Sequence, residues 1–408
     1  MKILQINSSV NTTSTGRIAE EIGQALQKQG HESFIASKKV GPGGSTSNLI
    51  HLGNKYDEYA HALKTRLFDR HGFGSKRTTQ AFLRKLKEIS PDVIGLHNLH
   101  GYYLNVEGLF NYLKEVQKPV VWTLHDCWPF TGHCSFFDYV SCEKWKTECR
   151  NCPLSDKYPA SWFMDQSRRN FYHKKKLFNG IQDLTIITPS QWLATLVKQS
   201  FLGGYAVEVI NNGIDLEKFW PTNADNINNR YNLFGKKVLL GVASVWDRRK
   251  GLKYFLELSK KLDDSFKIIL VGLPEVEINR LPENIIGIQR TESLEELVSF
   301  YSVADVFVNP TLVDNFPTTN LEALACGTPV ITFDTGGSPE SIDEDTGMVV
   351  EKGNLKKLLE AIKVVCSKSE RYREACRNRA ITHYDKKERY YDYVNLYEKT
   401  LVKKHALK

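Results

Sequence analysis

Apolar positions along this chain fall into two patterns, short continuous runs and stripes at helical spacing, and the two alternate. Ile3 to Ile6 forms a run, and Ile18, Ile22, Ala25 and Leu26 follow at helical spacing before Gly30. Further strand-like runs lie at 34–36, 93–96, 120–124 and 184–188. A second series begins at 238–242 and continues at 268–271, 306–308, 330–332 and 348–350, with helical patterns at 252–262, 294–301 and 355–365 between its runs. Continuous apolar runs suit strands buried on both faces, and repeated βα alternation predicts parallel sheets flanked by helices. The two series break at Gly203-Gly204 and in the Asn-rich stretch 223–232, which reads as a connector without periodicity. The expected architecture is α/β, with two Rossmann-like domains facing each other across a cleft. The first covers 1–205 and the second 206–380, and a last helix over 381–408 packs back toward the first. In such sheets ligands bind beyond the C-terminal strand ends.

A length of 408 residues leaves room for two domains of about 150–200 residues, each with its own core. No run of about 18 apolar residues occurs, so no membrane span is predicted. The N-terminus enters an apolar strand without a signal-peptide cleavage pattern, which leads us to expect a cytoplasmic protein. In that compartment the eight cysteines read as thiols or metal ligands rather than disulfides.

The net charge of +8 is moderate but uneven. Arg66, Arg70, Lys76, Arg77, Arg84, Lys85 and Lys87 are opposed only by Asp69 and interleave with Leu67, Phe68, Phe73 and Phe82. Arg168, Arg169 and Lys174 to Lys176 form a second cluster. Anionic lipid headgroups or a lipid-diphosphate substrate would account for both, and so would a solvated helix face. No nucleic-acid-binding module accompanies the charge.

The densest chemistry lies in Asp314-Asn-Phe-Pro-Thr-Thr-Asn-Leu-Glu322 and the Ala-Leu-Ala-Cys-Gly-Thr-Pro-Val330 that follows. Pro317 ends a polar turn, the residues from Asn320 to Cys326 read as helix, and Gly327 terminates it. A helix N-terminus suits a phosphate, and a carboxylate beside it suits sugar hydroxyls. Together these describe a nucleotide sugar. Thr319-x-x-Glu322 also fits a capping box, in which Glu322 would serve only the backbone.

This segment resembles the acidic-x7-acidic motif of retaining glycosyltransferases of family 4, matching at Phe316, Pro317, Glu322, Ala323, Ala325, Gly327, Pro329 and Val330. It departs at Asp314, usually Glu, and at Asn315, usually Gly. The resemblance covers nearly the whole chain and implies a GT-B fold. It also implies transfer of a sugar from a UDP- or GDP-type donor to a saccharide, lipid-linked acceptor in bacterial surface polysaccharide synthesis, at the inner face of the membrane. It assigns Asp314, Glu322 and His125 to the catalytic set. Donor binding falls to Gly16, Ser244, Arg248, Lys250, Arg290, Asn315, Phe316 and Glu322. Lys250 matches the family's diphosphate-binding lysine, while Ser244 stands where an arginine is usual, and Arg248 or Arg249 would supply that charge. His125, at the end of the 120–124 run, resembles the strand-end histidine that reaches the donor sugar, and His97 holds a similar position. The stretch from Val207 to Phe219 resembles the strand and turn that enter the second domain.

No catalytic cofactor is implied. The remaining signal is Cys134-x7-Cys142-x6-Cys149-x2-Cys152, which suits a tetrahedral structural zinc or stands as free thiols. A GT-B epimerase or hydrolase, or a non-catalytic binder of the same fold, is the alternative.

Overall fold

The computed structural model describes residues 1–406. It divides into two compact units, Met1–Asn211 with the last helix from Arg389 onward, and Asn212–Glu388.

The first unit is built on a seven-stranded parallel sheet. Its strands run, in spatial order, Asn48–His51, Glu32–Ser37, Lys2–Ile6, Val93–Leu96, Val120–Thr123, Leu184–Thr188 and Ala206–Val209. Side chains alternate across a strand, so one continuous apolar run serves two cores. Leu4, Ile6, Ile94, Leu96, Val120 and Trp122 enter one core. Ile3, Val93, Val121 and Ile187 enter the other, under Tyr390, Tyr393 and Tyr397 of the last helix, Lys386–Ala406. Gly95 makes room for that helix, because a Cβ there would lie 2.8 Å from Tyr397 Oη.

The second unit repeats the plan with six parallel strands in the order Ile285–Ile288, Phe266–Val271, Lys237–Val242, Val306–Asn309, Val330–Phe333 and Gly347–Val350. Leu240, Ile269 and Phe307 face one core, and Leu239, Ile268, Val306 and Val308 face the other. In both sheets the chain begins in the middle, runs to one edge, returns and runs to the opposite edge. The reversal lies between Lys2–Ile6 and Val93–Leu96 in the first sheet and between Lys237–Val242 and Val306–Asn309 in the second. A crevice opens beyond the strand ends at such a reversal.

Several expectations need correction. Ala206–Val209 pairs with Leu184–Thr188 and so closes the first sheet, where the sequence read it as entry to the second domain. The boundary therefore falls at Asn211, and the last helix divides at Arg389 rather than near 381. The Asn-rich connector contains a helix, Asp225–Tyr231, which buries Ile227 through a single apolar position. Phe73 and Phe82 are fully buried, so they interleave with no basic surface. Lys174 is buried too, with Nζ on the Trp128 and Thr131 carbonyls and 3.5 Å from the centre of the Trp128 ring. No helix among the described residues is long and apolar enough to cross a membrane.

Candidate functional site

In the second unit, three loops that follow strands converge on Asp314. The first leaves Lys237–Val242 and closes in a 3₁₀ turn, Arg248–Lys250, where Asp247 Oδ1 accepts from Lys250 N at 3.0 Å. The next residue, Gly251, has φ +78°, and a Cβ on it would lie 2.2 Å from the Pro310 carbonyl, so the basic turn sits directly against the second loop. Leu312 N donates to Arg249 O at 2.7 Å and holds the two loops together. The third loop follows Val330–Phe333. Its Gly337 N donates to Asp314 O at 3.1 Å, and a Cβ on Gly336 would stand 1.8 Å from that same oxygen.

Within this frame Lys250 Nζ lies 2.6 Å from Asp314 Oδ2, and Arg249 Nη1 is 3.9 Å from the same atom. Burial pushes the Asp314 carboxyl up, but Lys250 and Arg249 outweigh it and hold the group below its ordinary value. Asp314 is thus an anion that keeps two cations in place. Arg248 is exposed, so the arginine that joins Lys250 is Arg249. Ser244 and Arg290 are also exposed. Asn315 is buried, and Phe316 packs edge-on against Tyr384 while its carbonyl accepts from Asn212 Nδ2 at 3.1 Å.

Glu322 lies inside the helix Thr318–Ala325 and is 6 % exposed. The N-cap is Pro317, so Thr319 and Glu322 stand at the second and fifth helical positions, out of register for a capping box. Its Oε2 accepts from Tyr301 Oη at 2.8 Å. Beside it Asn320, which sequence reasoning passed over, organises a buried polar network. Its Oδ1 accepts from Asn309 Nδ2 at 2.8 Å and its Nδ2 donates to Ser341 Oγ at 2.8 Å, while Thr332 and Ser338 share a 2.6 Å hydrogen bond. This network joins the ends of two central strands to the helix that carries Glu322. The Gly336-Gly337-Ser338 turn was the available sequence signal for it.

The first unit presents different chemistry at its own reversal. Gln5 Nε2 donates to the Ala19 carbonyl at 2.9 Å, so its Oε1 is left to accept from His97 Nε2 at 3.0 Å. Burial drives the His97 pKa well below its ordinary value, so the ring is neutral and Nδ1 is an acceptor. It lies 3.2 Å from His125 Nε2, which must then carry the proton. Burial lowers His125 to about 4, with Asp126 opposing. Asp126 itself pairs with His100, Oδ2 to Nε2 at 2.7 Å, and takes the Trp128 N–H on its other oxygen. Gly16 sits in the first turn of the helix Thr13–Lys28, where a Cβ would lie 2.8 Å from Ser9 Oγ. Its hydrogen is needed for that approach.

The four cysteines expected to bind metal all line one cavity in this unit, together with His133. Nearby in sequence, Trp162 (58 %), Phe163 (78 %) and Met164 (44 %) are exposed apolar side chains. Arg66 stands 5.5 Å over the Trp162 ring.

Comparison with known proteins places the chain among glycosyltransferases. The chain is 27% identical over 378 residues to a protein described as a colanic acid biosynthesis glycosyl transferase, WcaC of Escherichia coli K12, covering 89% of this chain and 90% of that one. It is 28% identical over 166 residues to the capsular polysaccharide biosynthesis glycosyltransferase CapM of Staphylococcus aureus, 37% of this chain and 43% of the relative. The fold matches sucrose-phosphate synthase of Thermosynechococcus elongatus with a TM-score of 0.72 at 17% identity, over 98% of this chain and 99% of that one. It matches Anabaena Alr3699/HepE, solved in complex with UDP-glucose, with a TM-score of 0.69 at 14% identity, over 98% and 100%. Residues 236–368 fit the family model of glycosyl transferases group 1. Residues 15–218, half of the chain, fit that of Glycosyltransferase Family 4, and the chain belongs to this family.

Proposed function

We propose that this glycosyltransferase moves a sugar from a nucleoside-diphosphate donor of UDP or GDP type to a saccharide acceptor, with retention of anomeric configuration. The observation that carries the reading is the Lys250–Asp314–Arg249 cluster at the strand reversal of the second unit. A departing nucleoside diphosphate gains negative charge as the sugar C1–O bond breaks. Two preorganised cations in a partly buried site stabilise that charge where water would have to reorganise. Lys250 has three donor hydrogens, so it serves a phosphate oxygen without leaving Asp314.

The acceptor hydroxyl forms the new bond to C1 on the face the diphosphate leaves, and its proton passes to the leaving phosphate oxygen. The protein supplies position and charge rather than a nucleophile. Glu322 accepts hydrogen bonds from donor hydroxyls, with Asn320 and Tyr301 fixing the helix and the carboxylate. The neutral imidazole of His125 faces a sugar hydroxyl. That relatives act in colanic acid and capsule synthesis supports a lipid-linked acceptor on the route to a surface polysaccharide. Arg66, Trp162, Phe163 and Met164 would hold the enzyme at an anionic membrane surface, the aromatic rings at headgroup level and the cation among phosphates.

Titration of the purified chain with UDP, GDP and their sugars tests the donor. One of them should bind in the micromolar range, and the product's anomeric coupling in NMR should match that of the donor. Failure of all of them to bind at millimolar concentration, or release of free sugar with no acceptor product, would overturn the reading.

A further inference from the structure

Residues 124–166 run from the end of one strand to the start of the next helix with only three 3₁₀ turns, Trp128–Phe130, Asp138–Val140 and Lys144–Lys146. An irregular stretch of this length inside a compact domain needs something besides backbone pairing to hold it. Part of the hold is aromatic: Phe137 stacks on Trp145 at 5.0 Å, and Phe130 meets the same indole at 5.4 Å. The rest surrounds a cavity of about 20 Å³, room for one atom-sized occupant. Cys134, Cys142, Cys149 and Cys152 all line it, although they are spread over the loop. Gly132 lets Cys149 come close, since a Cβ there would lie 2.8 Å from Cys149 Cβ.

A second observation points to an occupant. His133 also lines the cavity, and its Nε2 is buried with no hydrogen-bond partner. Its Nδ1 is held 2.6 Å from Asp69 Oδ1, and Asp69 Oδ2 accepts from Gln166 N at 2.8 Å. A carboxylate fixing one imidazole nitrogen while the other faces an ion's shell is how proteins orient the surroundings of a metal. Leaving that nitrogen buried and unserved is costly unless something in the cavity meets it. As free thiols the side chains are not yet a closed shell: among the described residues no three His, Cys, Asp or Glu side chains are grouped to hold an ion. A cysteine sulfur moves between staggered positions by rotation about χ1 alone.

We propose that Cys134, Cys142, Cys149 and Cys152 close as thiolates on one zinc ion, with His133 as imidazolium, its Nδ1–H donating to Asp69 and its Nε2–H to a thiolate of that shell. Soft sulfur donors in a fourfold set select zinc in tetrahedral geometry. Four thiols each release one proton to solvent, and the site carries a net charge of −2. Buried Lys174, with Nζ on the carbonyls of Trp128 and of the cavity-lining Thr131, opposes that charge when protonated. The ion is structural, and its work is to pin the loop that carries Trp128, whose N–H holds Asp126.

The test uses the full chain purified without added metal under reducing conditions. Elemental analysis should find about one zinc per chain, and X-ray absorption should find four sulfurs at about 2.3 Å. A strong chelator should expose these thiols to a thiol reagent and lower Tm, and readdition of zinc should restore both. Donor binding by the untreated chain, measured separately, reports on the glycosyltransferase reading and does not depend on this result. His133→Gln should keep full zinc occupancy while weakening affinity about 10- to 100-fold. Less than about 0.2 zinc per chain, or a disulfide among these cysteines in reducing-agent-free preparations, overturns the site. Loss of zinc in His133→Gln with retention in Cys142→Ser overturns the four-thiolate set.

Discussion

The two sheets share one strand plan and carry opposite chemistry where that plan reverses. In the first unit the reversal holds a ladder of neutral groups, Gln5 to His97 to His125, each proton assigned by the carbonyl of Ala19 at its far end. In the second it holds a closed charge cluster, two cations on the carboxylate of Asp314. Topology decides where a ligand is met, and a handful of loop residues decide what kind of atom is welcome there. The charged end suits a group that gains charge during reaction. The neutral end suits hydroxyls, which need fixed donors and acceptors and no net field.

The sharpest way to break this contrast is to remove the cation at its centre. Lys250→Ala should cut kcat/KM about 100- to 1,000-fold, in line with loss of one preorganised charge-stabilising group, with little change in Tm. Activity within tenfold of the parent would remove the cluster from the reaction.

Glu322→Gln comes next. It keeps an oxygen for Tyr301 but loses the charge, so donor affinity should weaken by about 10- to 100-fold while Tm holds. A fall in Tm with unchanged donor affinity would return Glu322 to a purely structural role.

The two neighbouring arginines separate geometry from sequence distance. Arg249→Ala should cost about tenfold in donor affinity, and Arg248→Ala less than about twofold, because only Arg249 reaches Asp314. Equal losses would mean that bound donor redraws this turn.

The smallest effect at neutral pH belongs to the imidazole ladder. Burial lowers His125 to about 4 in the folded chain and holds His97 well below its ordinary value, against about 6.5 for both when unfolded. Between those limits the unfolded chain binds more protons, so the stability these histidines contribute is complete above pH 6.5 and drains away as pH falls toward 4. His97→Gln should flatten the decline of Tm across that window and leave Tm at pH 7.5 nearly unchanged. An equally steep decline would show that other groups set the acid sensitivity.

Much of the fold was legible because buried parallel strands advertise themselves. Runs such as 93–96 and 184–188 are apolar on both faces and match the observed strands. Edge strands are not, which is why Asn48–His51 and Ala206–Val209, largely exposed, were missed or misplaced. Asp314 and Glu322 were picked out because one local motif carries both, and Lys250 because a second, separate segment carries it. Arg249 was not distinguishable from Arg248, since their difference is the direction a turn gives each side chain. Asn320, Tyr301 and Gln5 were invisible for a related reason. Each acts on a residue distant in sequence, and no local spacing records that pairing.

The tyrosines of the last helix carry a consequence for how the protein is made. Tyr390, Tyr393 and Tyr397 complete the core that Ile3, Val93 and Val121 begin, yet the ribosome delivers them only after the whole second unit. The domain started first is therefore finished last. Until Arg389 and the residues after it emerge, the first helix, through Ile18, Ile22 and Leu26, covers that face without the last one, and the nascent chain carries the remaining apolar part exposed through the synthesis and folding of its neighbour.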